Sequence, residues 1–119
     1  GHGAIIHGAQ IGKNVMIGMN SVIMDEAEIG ENSIVGALSF VKAKTIIPPG
    51  SLVVGNPGKV IKELSDEMIA WKSKGTQLYQ TLPQDCFDEL EVVEPLTEIP
   101  LNRPEQDSLF KTWESIKSK

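Results

Sequence analysis

The run Val15-Met16-Ile17-Gly18-Met19-Asn20-Ser21-Val22-Ile23-Met24-Asp25-Glu26-Ala27-Glu28-Ile29 places an isoleucine at every sixth residue. Extended in both directions, the same register reads Ile5, Ile11, Ile17, Ile23, Ile29, Val35, Val41, Ile47 and Val53 without a gap. Ile and Val fill 22 of the 119 positions, so nine successive matches arise by chance on the order of once in a million, and such a fixed period marks a repeat architecture. Two residues before each of them stand Gly3, Ala9, Val15, Ser21, Ala27, Ser33, Ser39, Thr45 and Ser51, nearly all small. A period of six fits neither a helix nor a flat strand. It predicts a coil with three flat sides, one hexad to a side, with the β-branched residue pointing to the axis and the small residue at the tight corner. Gly12, Gly18, Gly30 and Gly36 directly follow inward residues, where this reading puts the backbone bend that glycine makes at least cost.

This pattern resembles the hexapeptide-repeat family, whose fold is the left-handed parallel β-helix. The hand follows from the resemblance, because parallel crossovers are ordinarily right-handed. The expected fold class is an all-β left-handed parallel β-helix followed by a C-terminal α-helix. Residues 3–55 should form three turns of the prism. The predicted divisions are 1–55 for the β-helix, 56–90 for a helical segment, and 91–119 for an extended tail with a short helix. The register runs in full from the first hexad with no capping segment, whereas repeat proteins need capped ends. The chain therefore reads as the C-terminal part of a longer protein.

Composition narrows the function classes. A net charge of −5 without a Lys/Arg run argues against a nucleic-acid partner. Cys86 is the single cysteine, so no internal disulfide forms and a cytoplasmic setting is expected. No apolar stretch has the length of a membrane span. Met16, Leu38 and Phe40 point outward in this register and predict subunit contacts, because they are too apolar for a solvated surface.

The repeats stop at Gly55-Asn56-Pro57-Gly58, a cluster of turn residues. Ser65 then caps a predicted helix over roughly 65–81, with Asp66 and Glu67 in its first turn. Leu64, Met68, Trp71, Gly75, Leu78 and Leu82 give it one apolar stripe. Pro83 should end it. The acidic stretch from Glu91 to Pro104, with Pro95 and Pro100, reads as a linker. A last short helix is expected to start near Pro104, Glu105 and Asp107 and to end at Lys117 and Lys119. Leu109, Trp113 and Ile116 would form its apolar face.

Both histidines of the chain lie in Gly1-His2-Gly3-Ala4-Ile5-Ile6-His7-Gly8. Neither is inward in the register above, and they fall on opposite sides of Ile5. One chain would aim them in different directions, whereas prisms packed side by side could set His2 of one against His7 of the next. A third ligand from elsewhere would complete the open three-ligand arrangement of a catalytic zinc site. Two exposed histidines on a solvated face, or a cloning remnant at Gly1-His2, are the bland alternatives.

The glycine-flanked His-x4-His string closely resembles an element of γ-class carbonic anhydrases and their relatives. That resemblance implies a homotrimer in which His2 and His7 bind a divalent metal, zinc or iron, with a third ligand absent from these residues. Gly18-Met19-Asn20-Ser21-Val22-Ile23-Met24-Asp25 and Gly55-Asn56-Pro57-Gly58-Lys59-Val60 are shared broadly with that family. Gly58 stands where many relatives carry Ala. Trp71-Lys72-Ser73-Lys74-Gly75-Thr76, Tyr79-Gln80, Leu82, Cys86, Leu90 and Glu94-Pro95-Leu96 look like the hexapeptide proteins of phenylacetate-degradation and carnitine operons. The match runs to about residue 97.

By this resemblance the expected function is metal-dependent hydrolysis, with coenzyme A thioesters as substrates and a metal-activated water as nucleophile. Tyr79 is the further catalytic candidate, its alternative role being to anchor the helix against the prism. Cys86 has no cationic neighbours in sequence to activate it, and an isolated cysteine is most often a small buried apolar residue. Three other functions compete. A carbonic anhydrase would use the same nucleophile on CO2. A coenzyme A-dependent acyltransferase would use one histidine as a general base without metal. An accessory protein would only trimerise.

Overall fold

The computed structural model describes residues 1–103 and 111–116. Nine short strands run in chain order: β1 (Ile5–Ile6), β2 (Gln10–Ile11), β3 (Met16–Ile17), β4 (Val22–Ile23), β5 (Glu28–Ile29), β6 (Ile34–Val35), β7 (Phe40–Val41), β8 (Ile46–Ile47) and β9 (Ser51–Val54). Every third strand stacks on the same side. This gives parallel sheets β1-β4-β7, β2-β5-β8 and β3-β6-β9, the three sides of a left-handed β-helix. The strand β10 (Lys59–Glu63) turns back through Gly55–Gly58 and pairs antiparallel with β9. The six-residue period did not signal it, because it lies past the last repeat.

Corners are marked by the backbone. Gly8, Asn14, Asn20, Glu26, Asn32, Leu38, Lys44 and Gly50 all have positive φ, at every sixth residue. Only Gly takes this conformation freely, and Asn takes it better than most. Glu26, Leu38 and Lys44 therefore carry backbone strain. The bend is not at Gly12, Gly18, Gly30 and Gly36, as the sequence suggested. Those glycines are required by close approach between coils: a Cβ would come within 2.6 Å of Glu31 N, 2.4 Å of Ala37 N, 2.3 Å of Pro49 N and 2.8 Å of Val54 Cγ1 respectively.

The core is a column of β-branched side chains. Ile23, Ile29, Val35, Val41, Ile47 and Val53 are at most 4% exposed, and Ala27 packs among them. Ser21, Ser33, Ser39 and Ser51 are buried with them, and their hydroxyls are satisfied by backbone groups. Ser21 Oγ donates to Gly36 O at 2.8 Å, Ser51 Oγ donates to Pro48 O at 2.7 Å, and Ser39 Oγ accepts from Gly55 N at 3.2 Å. Small polar residues thus fit inside because each hydroxyl finds a backbone partner, which removes the cost of burying it.

One register position is corrected. Residues on stacked strands pair eighteen apart, as in Ile11 with Ile29 and Ile17 with Val35. The exception is β1, where Ile5 faces Val22 and Ile6 faces Ile23. Ile6, not Ile5, therefore stands in the inward column, and the first hexad is one residue short. The adjacent isoleucines allowed either register in the sequence.

After β10 the chain enters α1 (Asp66–Glu89). Ser65 caps it, its Oγ accepting from Met68 N at 3.3 Å. Leu64, Met68 and Lys72 are buried. Lys72 Nζ donates to Asn14 O, Ser73 Oγ accepts from Asn14 Nδ2 at 2.9 Å, and Thr76 Oγ1 donates to Asn14 Oδ1 at 3.0 Å. The first part of the helix is therefore tied to the corner after β2. Burial lowers the pKa of the Lys72 ammonium below the usual lysine value. The sequence reading gave no sign of a lysine on this stripe.

Pro83 does not end the helix, which continues to Glu89. An interior proline removes one backbone donor, but the turn beyond it keeps its own bonds: Gln84 Nε2 donates to Asp88 at 3.0 Å and Leu90 N donates to Cys86 O at 3.1 Å. Residues 1–76 and 77–119 form two separate compact units. In the second, residues 91–103 contain no helix or strand, and a short helix α2 spans Trp113–Ile116. The expected start of that helix at Pro104, Glu105 and Asp107, its Leu109, and its end at Lys117 and Lys119 lie outside the described residues. Among the described residues no helix is long and apolar enough to cross a membrane.

Candidate functional site at the corners of the first coil

The strand β1 crosses one side of the prism, and the two histidines stand at the corners it joins. His2 immediately precedes Gly3 (φ 68°) and His7 immediately precedes Gly8 (φ 60°). They hold the same position in successive hexads, five apart rather than six because the first hexad is short. The two histidines of one chain thus stand at different corners of the coil. Among the described residues of a single chain, no three His, Cys, Asp or Glu side chains are grouped to hold an ion.

The second coil supplies each histidine's surroundings. His7 N donates to Ile23 O at 2.9 Å, and His7 Nδ1 lies 2.9 Å from Asp25 Oδ1. Asp25 is one coil on from His7, and its carboxylate sits above Gly8, where a Cβ would come within 2.7 Å of Oδ1. At the other corner His2 O accepts from Asn20 N at 2.9 Å. The Asn20 amide occupies the equivalent place over Gly3, 2.1 Å from where a Cβ would stand. At both glycines a positive φ favours Gly, and a side chain from the coil above lies where a Cβ would stand.

His7 fits a metal ligand in its chemistry. A carboxylate only accepts hydrogen bonds, so contact through Nδ1 leaves Nε2 as the nitrogen with a free lone pair. The His7 side chain is 70% exposed and that lone pair is accessible. Asp25 appeared in the sequence reading only within a shared run. Its signal was the eighteen-residue interval from His7, which is legible once the coil length is known.

Tyr79 lies on α1 in the second unit and is 69% exposed. Cys86 is exposed rather than buried. It sits past Pro83 on a stretch of α1 in which every residue is exposed, so it has no apolar packing there.

Apolar residues cluster on the outer side of the first sheet, where Ile5, Val22 and Phe40 pair in one column. Ile5 is 57% exposed and the corner residue Leu38 is 72% exposed, whereas Phe40 and Met16 are half-buried. The second sheet presents Gln10, Glu28 and Ile46 over a shallow depression that also includes Pro48 and Pro49.

Comparison with known proteins supplies the context. The family model for bacterial transferase hexapeptide, six repeats, matches residues 8–43. The carnitine operon protein CaiE of Citrobacter koseri is 53% identical over 104 residues, which cover 87% of this chain and 53% of that protein. CaiE of Salmonella agona is 47% identical over 104 residues, covering 87% and 52%. The chain therefore spans about half the length of these curated relatives. A hexapeptide transferase family protein from Anaplasma phagocytophilum superposes with a TM-score of 0.68 at 32% identity, covering 71% of this chain and 51% of that one. A Bacillus cereus protein assigned as an acetyltransferase gives 0.67 at 40% identity, covering 69% and 48%.

Proposed function

The chain is a hexapeptide-repeat protein similar along most of its length to carnitine operon proteins, and on that premise we propose that it acts in a metal-dependent hydrolase of coenzyme A thioesters. The observation that carries this reading is the placement of His2 and His7 at equivalent corner positions, with the Nδ1 of His7 engaged by Asp25. In this proposal His2 of one copy and His7 of a neighbouring copy hold a zinc or iron ion in a homotrimer. A divalent ion held there supplies Lewis acidity and acidifies a water toward neutral pH. His7 offers Nε2 as a ligand while Asp25 keeps the ring oriented. The apolar outer column Ile5, Val22 and Phe40, together with Leu38 and Met16, supplies contact surface between copies. Tyr79 enters through the family resemblance alone, as a polar aromatic that assists turnover. Carbonic anhydrase activity would use the same residues on CO2.

A second reading is favoured by the transferase relatives and by the His7–Asp25 pair itself. An imidazole held through Nδ1 with Nε2 free is also the geometry of a general base, which a coenzyme A-dependent acyltransferase needs without metal. Metal content and turnover of short-chain acyl-CoA thioesters and CO2 separate the readings. His7→Ala should remove bound metal and thioester hydrolysis together while the trimer stays folded, because His7 is outside the core. Hydrolysis retained in a metal-free His7→Ala trimer would overturn the metal-dependent reading. Acyl transfer to an acceptor by metal-free protein would establish the second reading, and a folded trimer without turnover or metal would make it an accessory protein.

A further inference from the structure

The geometry points to Asp25 as a positioning residue that fixes His7 in the tautomer with its proton on Nδ1, so that Nε2 is the nitrogen presented to an ion or a reacting proton. This deepens the functional reading above and rests on it for the use of Nε2, but not for the tautomer itself.

Three observations carry it. His7 Nδ1 and Asp25 Oδ1 are 2.9 Å apart, and an ionised carboxylate accepts without donating, so the proton between them belongs to the imidazole. Asp25 is also held in place from both sides. Lys44 N donates to Asp25 O at 2.9 Å, and Glu26 N donates to Gly8 O at 2.8 Å, which fixes the Asp25 corner directly on the His7 corner. Finally, the Asp25 carboxylate takes its place over Gly8 where a Cβ would stand 2.7 Å from Oδ1 and push it aside.

The two histidine corners differ in the group placed over their glycines. Over Gly3 the second coil places the neutral amide of Asn20, and over Gly8 it places the carboxylate of Asp25. The contact is not there for stability. Its side chains are 70% and 47% exposed, and exposed pairs of this kind contribute little to folding. What it does supply is orientation: a ligating or basic histidine has its reactive nitrogen chosen by the hydrogen bond made through the other one.

Two-bond 1H–15N correlation spectra of 15N-labelled protein test this directly, recorded about two units above the ordinary histidine pKa near 6.5. In the unsubstituted chain His7 should show the Nδ1–H pattern, and His2 should show the mixture of a free imidazole, mostly Nε2–H. Asp25→Asn and Asp25→Ala should both shift His7 to the Nε2–H form, with core amides such as Ile23 and Val35 unmoved as the control for folding. Zinc affinity of the trimer, measured against a competing chelator, should fall about 10- to 100-fold in Asp25→Asn. A His7 tautomer matching that of His2, or one unchanged by either substitution with the core signals intact, would overturn the assignment. The tautomer readout needs no metal, so failure of the metal reading leaves it standing and is seen separately as absent zinc binding.

Discussion

The first coil and the two above it are built from the same hexads, yet their inward residues meet opposite fates. Ile23, Ile29, Val35, Val41, Ile47 and Val53 are buried to within 4%, whereas Ile6 is 51% exposed and Ile11 is 36% exposed. Position within a hexad thus points a side chain at the axis, but burial comes from stacking one coil on another. The same contrast separates stability from chemistry. Regular eighteen-residue stacking makes the core, and the one irregular hexad, short by a residue, carries both histidines.

The largest test of this contrast is truncation in the column. Ile23→Ala should cost about 2–5 kcal/mol, whereas Ile5→Ala and Ile6→Ala should each cost under about 1 kcal/mol, as exposed positions do. Urea midpoints read both, and equal losses would break the comparison. The next effect is at the glycines. Gly30→Ala drives a Cβ to 2.3 Å from Pro49 N and should cost about 1–3 kcal/mol or more, as overpacking does. Gly50→Ala meets no atom within 4 Å but keeps φ at 66°, so it should cost only about 1 kcal/mol. A reversed order would mean that backbone conformation, not coil spacing, fixes these residues.

A smaller and opposite effect is expected at Leu38, a branched residue at φ 60° and 72% exposed. Leu38→Gly relieves strain of about 1–2 kcal/mol against a glycine entropy cost of about 0.5–1 kcal/mol, and should raise the thermal midpoint slightly. The smallest effect concerns pH. Burial lowers the pKa of Lys72 in the folded chain, while the unfolded chain keeps the ordinary value near 10.4. Between the two, the unfolded state holds a proton that the folded state has shed. Stability therefore rises with pH through that window, and the full penalty applies below it. Lys72→Met should remove that part of the rise in denaturation curves taken along a pH series.

Much of the fold was legible because a six-residue period leaves few alternatives, and Ile17 through Val53 stand where it put them. Ile5 was misplaced for a physical reason: Ile5-Ile6 satisfies two registers, and only the five-residue spacing of Gly3 and Gly8 distinguishes them. The glycines after the inward residues were legible as constrained but not as to why, since contact between coils is not local in sequence. Helix α1 was found from its stripe, yet its passage through Pro83 and the burial of Lys72 depend on partners that periodicity does not contain. The histidines were visible as a pair. Asp25 became part of the site only when the coil length set it over Gly8.

The central claim is that His2 and His7 serve one site from different copies, and complementation tests it most directly. His2→Ala and His7→Ala chains are unfolded together, refolded as a one-to-one mixture, and assayed for bound zinc per trimer. Each variant alone should bind none. Because every mixed trimer regenerates one intact site of three, random assembly of a symmetric trimer should restore about a quarter of the unsubstituted protein's zinc. Zinc that stays absent from mixed trimers of the complete protein, whose unsubstituted trimer carries the third ligand and binds zinc, would place both histidines of a working site on one chain and contradict the account.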